Sequence, residues 1–223
     1  MGTRMALGGI DGYWAEPSTT GPWPAVIVIQ EWWGLDRQTE SVADRLASEG
    51  YLAFAPDLFH GERAELGDHA KAMELTQKYS NRYSDELAAV FDTLKTLSGT
   101  TGKIASLGFC FGGKMSLSLG LYRPLNAVVT FYGGQMQVLF DKMANWSIPV
   151  LAFFGDEDVS IPQGTIDELK TLLQARKVEH KVTVYPHSGH AFFRDSDPAA
   201  YRPDAAKDAW VQTKDFLSRK LKG

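Results

Sequence analysis

The sequence is poor in cysteine and lacks long apolar runs. Cys110 is the single cysteine among 223 residues, so the chain cannot form an internal disulfide, which fits a reducing compartment. The first residues hold no apolar stretch long enough for a signal peptide, and no later run reaches the length that spans a membrane. We therefore expect a cytoplasmic protein that does not insert into membranes.

Clusters of Lys and Arg are also missing. The formal net charge at pH 7 is −4 and the basic residues are scattered, so nothing in the sequence predicts binding to nucleic acid or to an anionic membrane surface. No motif indicates a cofactor. A small molecule is therefore the expected partner of this protein.

Hydrophobic residues, by contrast, make up 44% of the chain and charged residues 22%, a balance typical of a folded domain with a large core. Short apolar runs of strand length alternate with amphipathic segments of helix length. This predicts an α/β fold with a mostly parallel central sheet and helices on both faces, as one domain over residues 1–223. The predicted strands, buried on both faces, are Ala25–Gln30, Tyr51–Ala55, Lys103–Gly108, Ala127–Phe131, Pro149–Phe154 and Lys181–Tyr185.

The segments between these strands predict the helices that cover the sheet. In the first of them, apolar residues between positions 42 and 47 recur at helical spacing, and Gly50 follows as a C-terminal cap. Residues 57–84 are polar and lack a strand pattern, so we expect a partly helical excursion over the sheet edge that helps to line a pocket. The predicted helices are Asp36–Glu49, Asp85–Leu97, Gly113–Leu121, Thr165–Ala175 and Ala205–Leu221, the last with Trp210, Phe216 and Leu217 facing inward.

Cys110 lies in a glycine-framed turn, Gly108-Phe-Cys-Phe-Gly-Gly113, between a predicted strand and a predicted helix. Such a frame permits the tight turn that lifts a nucleophile above the sheet, and the following helix N-terminus favours a thiolate and donates N–H groups to an oxyanion. A buried cysteine that packs as a small hydrophobe is the plain alternative. Gly108–Lys114 also matches a phosphate-binding loop, but Met115 replaces the Ser or Thr that would hold Mg²⁺. We therefore expect a nucleophile.

Two later loops supply the residues that such a nucleophile needs. Acidic residues 156–158 follow an apolar strand, and His190 lies in a turn after the last strand. His187 is the alternative base, but it sits closer to the strand end. The chain order of nucleophile, acid and histidine is the order expected of α/β-hydrolases. That order predicts an α/β-hydrolase fold with a triad built on Cys110.

Six stretches of the chain form a pattern that covers nearly its whole length. They are Val-Ile-Val-Ile-Gln-Glu31-Trp-Trp-Gly34, Ala-Pro-Asp57-Leu, Gly-Phe-Cys110-Phe-Gly-Gly, Phe-Tyr132-Gly-Gly, Gly-Asp-Glu-Asp158-Val-Ser-Ile-Pro and Gly-His190-Ala-Phe-Phe-Arg194. Together they resemble the dienelactone hydrolase family. The resemblance implies that Cys110, Asp158 and His190 form the catalytic triad. Asp158 is preferred to Asp156 because the residues from it to Pro162 match the family's spacing.

The resemblance also gives a role to Glu31. This residue takes the place of the glutamate that meets the resting thiol in the family. A carboxylate beside a buried sulfur opposes ionisation of the thiol and limits its oxidation, so substrate would have to release the cysteine. The alternative is a polar residue at a strand end, bonded to a neighbouring backbone N–H.

Two backbone N–H groups are expected to form the oxyanion hole. That of Phe111 follows the nucleophile, and that of Trp32 lies in the loop after an early strand, where this fold places its second donor. Aromatic residues are expected to wall an apolar pocket, although each of them could equally belong to the core. These candidate wall residues are Trp33, Phe59, Tyr132 and Phe192, with Trp32 beside them.

Arg194 is the candidate for binding a charged group of the substrate. By the resemblance it matches one of the arginines that hold the carboxylate in family members acting on dienelactone. Gly67, with Lys71 nearby, stands where a second arginine would be expected. The alternative for Arg194 is a surface residue paired with a neighbouring aspartate at 195 or 197.

These observations together predict a carboxylic ester hydrolase similar to carboxymethylenebutenolidase, which opens ester or lactone bonds through an acyl-enzyme and needs no cofactor. One alternative is a general carboxylesterase or thioesterase of neutral substrates. Another is a non-catalytic protein of this fold that binds a small molecule. A zinc site of Asp156, Asp158, His187 and His190 is conceivable from ligand types, but no metal-ligand motif supports it.

Overall fold

A computed structural model describes all 223 residues of the chain. None of its helices combines the length and the apolar character that a membrane span requires. The elements in chain order are β1 (Thr3–Leu7), β2 (Ile10–Ala15), β3 (Trp23–Ile29), α1 (Arg37–Ser48), β4 (Leu52–Pro56), α2 (His69–Lys78), α3 (Tyr83–Thr96), β5 (Thr100–Phe109), α4 (Phe111–Tyr122), β6 (Ala127–Phe131), a 3₁₀ helix (Met136–Met143), β7 (Val150–Gly155), α5 (Gln163–Ala175), β8 (His180–Tyr185) and α6 (Pro203–Leu221).

The eight strands form one sheet in the order β1-β2-β4-β3-β5-β6-β7-β8. β2 is antiparallel to both of its neighbours, whereas β3 pairs in parallel with β4, β6 with β7, and β7 with β8. Parallel neighbours need long crossover connections. Helix α1 lies in the connection from β3 to β4, and α5 in the one from β7 to β8. The mostly parallel sheet with its helices confirms the predicted fold class.

The residue contacts divide the chain into two compact units, Met1–Ser106 and Leu107–Gly223. Strand β5 runs from the first unit into the second. Each unit carries elements with buried apolar faces, so each has a core of its own. The assignment of the whole chain to one domain stays a prediction.

In the first unit, α1 packs against β2, β3 and β4, and every residue of β4 is buried. The carboxylate of Asp36 caps α1, because it accepts hydrogen bonds from the N–H and the hydroxyl of Thr39, both at 3.0 Å. Gly50 follows the helix with φ +85°, a conformation that glycine adopts without strain. The predicted helix and its glycine cap are therefore confirmed.

The excursion at residues 57–84 begins with a tight turn. The carboxylate of Asp57 accepts hydrogen bonds from the N–H groups of Phe59 (3.3 Å) and Gly61 (2.9 Å). The N–H of Ala64 then donates to the carbonyl of Trp33 at 2.9 Å, which ties this turn to the loop after β3. Helix α2 follows. A contribution of this segment to a pocket stays a prediction.

In the second unit, β6 and β7 are buried at every position, whereas most of β8 is only partly buried. β8 is the last strand of the sheet order and pairs only with β7. The prediction that β8 is buried on both faces is therefore wrong. In α6, Trp210, Phe216 and Leu217 are buried, as the apolar spacing of the sequence predicts.

Helix α2 confirms the partly helical character predicted for residues 57–84. Two elements were not expected from the sequence: the β1–β2 hairpin and the 3₁₀ helix. In the hairpin, Gly8 and Gly9 have φ values of +63° and +84°, and Leu7 pairs with Ile10 across the turn. A Gly-Gly pair between two short strands is a hairpin signal. The signal was hidden because four of the five residues of β1 are exposed, so the strand lacks an apolar pattern.

Candidate active site

Cys110 is the single residue between β5 and α4. Its backbone has φ +53° and ψ −116°, a combination that is strained for a residue with a side chain. The N–H of Cys110 donates to the carbonyl of Phe131, the last residue of β6, at 3.0 Å. The side chain remains partly exposed. A sharp turn held to the neighbouring strand therefore presents the thiol at the carboxyl ends of the strands.

Glycines make this turn sterically possible. A Cβ on Gly108 would lie 2.0 Å from the carbonyl oxygen of Gly112, and a Cβ on Gly113 would lie 2.9 Å from that of Phe131. Real Cβ atoms essentially never approach heavy atoms this closely. The start of α4 can therefore pack against β5 and β6 only because both positions lack side chains. Helix α4 begins at Phe111, two residues before the predicted start.

The first turn of α4 lies beside the thiol. The N–H groups of Gly113 and Lys114 donate to the carbonyl of Cys110 at 3.0 and 3.3 Å. Phe111 is the first residue of α4 and directly follows Cys110, so its backbone N–H belongs to the N-terminal turn of the helix. The positive end of a helix dipole also favours a negative charge at this position. The geometry can therefore stabilise a thiolate or an oxyanion.

His190 links the thiol to a carboxylate. Its Nδ1 lies 2.6 Å from Oδ2 of Asp158, and its ring also interacts with the Cys110 side chain through a hydrogen bond and through charge. Burial would lower the pKa of His190, but Asp158 and Cys110 together outweigh it and raise this pKa to about 10. The three side chains thus form a continuous chain of contacts with a strongly basic imidazole at its centre.

Asp158 is held rigidly in this arrangement. The N–H of Ser160 donates to its Oδ1 at 2.9 Å, and the Ser160 hydroxyl donates to the same oxygen. Burial would raise the pKa of Asp158, but His190 and then Ser160 hold it below its ordinary value. Asp158 is therefore a charged, oriented carboxylate. Asp156, the other acid considered for this position, is exposed and accepts only a long bond of 3.4 Å from the N–H of Ser188.

His187 lies apart from this arrangement. Its side chain is 90% exposed, and its Nδ1 lies 3.5 Å from a carboxylate oxygen of Glu157. The His190 side chain, by comparison, is 32% exposed. Of the two histidines in this loop, only His190 contacts Asp158. The four candidate zinc ligands of the sequence therefore do not converge, since His187 points to a different carboxylate.

Aromatic side chains support His190 from behind. The ring of Tyr132 lies 5.0 Å from the His190 ring and 5.4 Å from that of Phe192, and Phe192 also contacts Tyr185 at 5.2 Å. Tyr132 and Phe192 are almost completely buried. Such packing fixes the imidazole in position. Direct contact of either ring with a substrate stays a prediction.

Arg194 is also buried, with 6% of the residue exposed. Its N–H donates to the carbonyl of Ala191 at 2.8 Å, and its carbonyl accepts from the N–H of Asp197 at 3.1 Å. The alternative of a surface arginine is therefore wrong. A role of the guanidinium in binding substrate stays a prediction.

The remaining candidates belong to the first unit. Glu31 is buried, with 4% exposure, directly after β3. The rings of Trp32 and Trp33 lie 5.2 Å apart, and each lies 5.4 Å from the ring of His69 at the start of α2. Phe59 is fully buried and stacks on Tyr79 at 6.0 Å. The loop after β3 is thus tied to the excursion by an aromatic cluster.

Lys71, which stands near the position of the missing second arginine, is engaged on α2. Its Nζ lies 2.7 Å from Glu74 and 3.8 Å from Glu62. Gly67 precedes α2 with φ +93°. A substitution of Gly67 by arginine would therefore strain the backbone. In this structure the cation at this site belongs to a surface ion-pair network.

Two residues near Cys110 and His190 were missed by sequence reasoning. Ser160 bonds to Asp158, and Lys114 is partly buried one helical turn after Cys110, with its Nζ 6.0 Å from the ring of Phe111. Burial lowers the pKa of Lys114, although Cys110 opposes this effect. The position of Lys114 four residues after Cys110 was a usable signal. Ser160 gave none, since a serine near a helix start is common.

Comparison with known proteins shows which family the chain belongs to. The model of the Dienelactone hydrolase family matches residues 10–221. A "Putative carboxymethylenebutenolidase" of Yersinia pestis is 32% identical over 225 residues, 94% of this chain and 84% of the relative. A protein of the same name from Synechocystis sp. is 34% identical over 230 residues, covering 96% and 93%. The solved structure of a "Putative Dienelactone Hydrolase" from Klebsiella pneumoniae aligns with TM-score 0.84 and 27% identity over 98% of each chain.

Proposed function

Because the chain belongs to the dienelactone hydrolase family, we propose that it hydrolyses ester or lactone bonds, with Cys110 as the nucleophile. The observation that carries this proposal is the contact chain from Cys110 through His190 to Asp158. Nucleophile, base and orienting acid in hydrogen-bond contact are the arrangement that covalent acyl transfer needs. The strained turn at Cys110 supports the same role, since it exposes the thiol beside a helix N-terminus.

In the first half-reaction, His190 takes the thiol proton, and the sulfur attacks the carbonyl carbon of the substrate. The C=O electron pair moves to oxygen, and this oxyanion accepts hydrogen bonds from the backbone N–H of Phe111 and, as predicted for this fold, of Trp32. As the carbonyl reforms, the C–O bond to the alcohol breaks, and His190 protonates the leaving oxygen. A thioester on Cys110 results. With a lactone, the released hydroxyl stays on the acyl group.

In the second half-reaction, His190 removes a proton from water, and the resulting hydroxide attacks the thioester. The C–S bond breaks, the acid leaves, and the proton returns to the sulfur. The pKa of His190 suits both steps. Part of its rise to about 10 comes from the Cys110 side chain once the thiol has ionised, and acylation removes that part because a thioester carries no charge. His190 then becomes a weaker base, which can release its proton again as general-base catalysis requires.

Glu31 completes the proposal as the partner of the resting thiol. It is a carboxylate buried directly after β3, and a buried carboxylate is costly unless it has a partner. Its proposed role is to keep Cys110 un-ionised until substrate binds. A resting thiol of this kind would resist oxidation, which proceeds through the thiolate.

Replacing Cys110 tests the proposal directly. We expect Cys110→Ala to lower hydrolysis of p-nitrophenyl acetate by at least about a thousandfold, because the acyl-enzyme route is lost. Prolonged treatment with iodoacetamide should also inactivate the parent, and since the chain has one cysteine, the modified residue is unambiguous. An acetyl adduct on Cys110 in the mass spectrum would also exclude a purely binding protein. Undiminished turnover by Cys110→Ala would refute the proposed nucleophile.

Arg194 is proposed to bind an anionic group of the substrate. We expect Arg194→Met, which keeps the apolar stem of the side chain, to raise KM for an ester with a carboxylate by about tenfold or more, and to leave KM for the matching neutral ester within about twofold. The measurement is KM and kcat for both esters. An equal loss on the two esters would instead favour a general carboxylesterase or thioesterase in which Arg194 is structural.

A further inference from the structure

Ser160 lies in an exposed loop, yet it contacts both Asp158 and His190. Its Oγ donates to Oδ1 of Asp158 and lies 3.1 Å from Nδ1 of His190. Its N–H donates to the same Oδ1 at 2.9 Å. The other carboxylate oxygen, Oδ2, lies 2.6 Å from Nδ1 of His190. Asp158, Ser160 and His190 thus close a ring of hydrogen bonds.

From this ring we infer that Ser160 is a positioning residue of the proposed hydrolase, which holds Asp158 and His190 in the one orientation that presents Nε2 to the thiol. The inference rests on the proposed function and deepens it. The hydroxyl proton is donated to Oδ1, so the lone pairs of Oγ face Nδ1–H. Nδ1 thus keeps its proton whether the ring is charged or neutral, and Nε2 is the nitrogen that exchanges a proton with Cys110.

The ring also determines how Asp158 can move. A carboxylate with one bonded oxygen can rotate about its Cβ–Cγ bond, whereas Asp158 has two donors from Ser160 on Oδ1 and the imidazole on Oδ2. Rotation would break all of these contacts together. Ser160 is itself exposed, so its hydroxyl could bond to water at little cost. The hydroxyl nevertheless bonds to Asp158 and lies beside His190, which indicates that this orientation serves to position the two side chains.

The test compares three variants by kcat, KM and the pH profile of p-nitrophenyl acetate hydrolysis. We expect Ser160→Ala to lower kcat by about tenfold to a hundredfold with KM nearly unchanged, because the imidazole is less well oriented. The acid limb of the profile, which reports protonation of His190, should move to higher pH, because Asp158 without this donor favours the charged imidazole more strongly. Ser160→Thr, which keeps the hydroxyl, should restore both. Ser188→Ala, whose hydroxyl bonds only to the carbonyl of Pro186, should leave both at parent values.

A second measurement keeps this inference separate from the proposed function. With ¹⁵N-labelled histidine, the parent should show a downfield, slowly exchanging Nδ1–H proton of His190, which Ser160→Ala should lose and Ser160→Thr should keep. This readout needs no turnover, so it stands even if Cys110→Ala shows that Cys110 is not the nucleophile. A Ser160→Ala variant that keeps this proton signal, the parent kcat and the parent acid limb would overturn the inference.

Discussion

The imidazole of His190 owes its basicity to its neighbours. Burial alone would favour the neutral ring, but the carboxylate of Asp158 and the side chain of Cys110 favour the charged ring more strongly and raise the pKa to about 10. The ordinary pKa of a histidine side chain is 6.5. His187, only three residues away, lies in solvent beside Glu157. The two histidines of this loop therefore have different environments, because only His190 contacts a buried carboxylate.

This difference predicts a pH-dependent contribution to stability. Because the folded pKa of His190 exceeds the unfolded value, its stabilisation is fully present below about pH 6.5 and is lost as pH rises through about 10. We expect His190→Gln to lower the free energy of unfolding by about 2 kcal/mol at pH 6, where solvent screens part of the interaction, and by little near pH 10. Urea unfolding of parent and variant at pH 6, 8 and 10 measures this.

The control for this measurement is His187→Asn, since asparagine tolerates the positive φ of that position. It should change the free energy of unfolding by less than about 0.5 kcal/mol at every pH. If the loss in His190→Gln were the same at pH 6 and pH 10, the imidazole would not be charged in the folded protein, and the assigned contacts would be wrong.

Among the elements, the β5–α4 turn constrains the sequence most. Its conformation requires a helix to start within a few ångströms of the strand that precedes it, and side chains at Gly108 and Gly113 would collide with backbone or neighbouring atoms. A phosphate-binding loop at Gly108–Lys114 would also require glycines in this turn. It does not account for the strained backbone at Cys110 itself, which a nucleophile turn requires.

Gly108→Ala tests the steric argument. The added Cβ would lie 2.0 Å from the oxygen of Gly112, so β5 and α4 must move apart, and we expect a loss of about 3 kcal/mol in unfolding free energy. Gly134→Ala is the matched control, because nothing lies within 4 Å of its added Cβ. It should stay within about 0.5 kcal/mol of the parent. Equal thermal midpoints of the two variants would contradict the proposed packing of this turn.

Burial patterns explain the errors at the level of elements. β8 carries an apolar run, yet it ends the sheet and is largely half-exposed. β1 carries no apolar pattern, yet it pairs along its whole length with β2. A strand at the edge of a sheet needs only one partner, and its side chains report weakly on the pairing. Apolar periodicity therefore located the central parallel strands and β8, but it missed the β1–β2 hairpin and gave the wrong burial for β8.

At the scale of the whole molecule, the family, the fold and the hydrolase class found by comparison agree with those predicted from the sequence. The family match spans residues 10–221, and a solved structure aligns over 98% of the chain with a TM-score of 0.84. The predictions of a dienelactone hydrolase-like enzyme and of an α/β-hydrolase fold are therefore confirmed.

The chain has 27 acidic and 23 basic side chains. The ion pairs of the structure, such as Arg219 with Glu179, are largely exposed and contribute little to stability individually. Apolar burial therefore provides most of the stability.

The sequence by itself determined the central strands, the helices between them, the glycine-framed turn at Cys110 and the order of nucleophile, acid and histidine. These features are local, since they depend on spacing within a few residues. The tertiary structure decided which carboxylate meets which imidazole, because Asp158 and His190 are 32 residues apart along the chain. It also decided that Ser160 joins them, that Arg194 is buried and that β8 is an edge strand. Each of these depends on distances between elements, which no local pattern encodes.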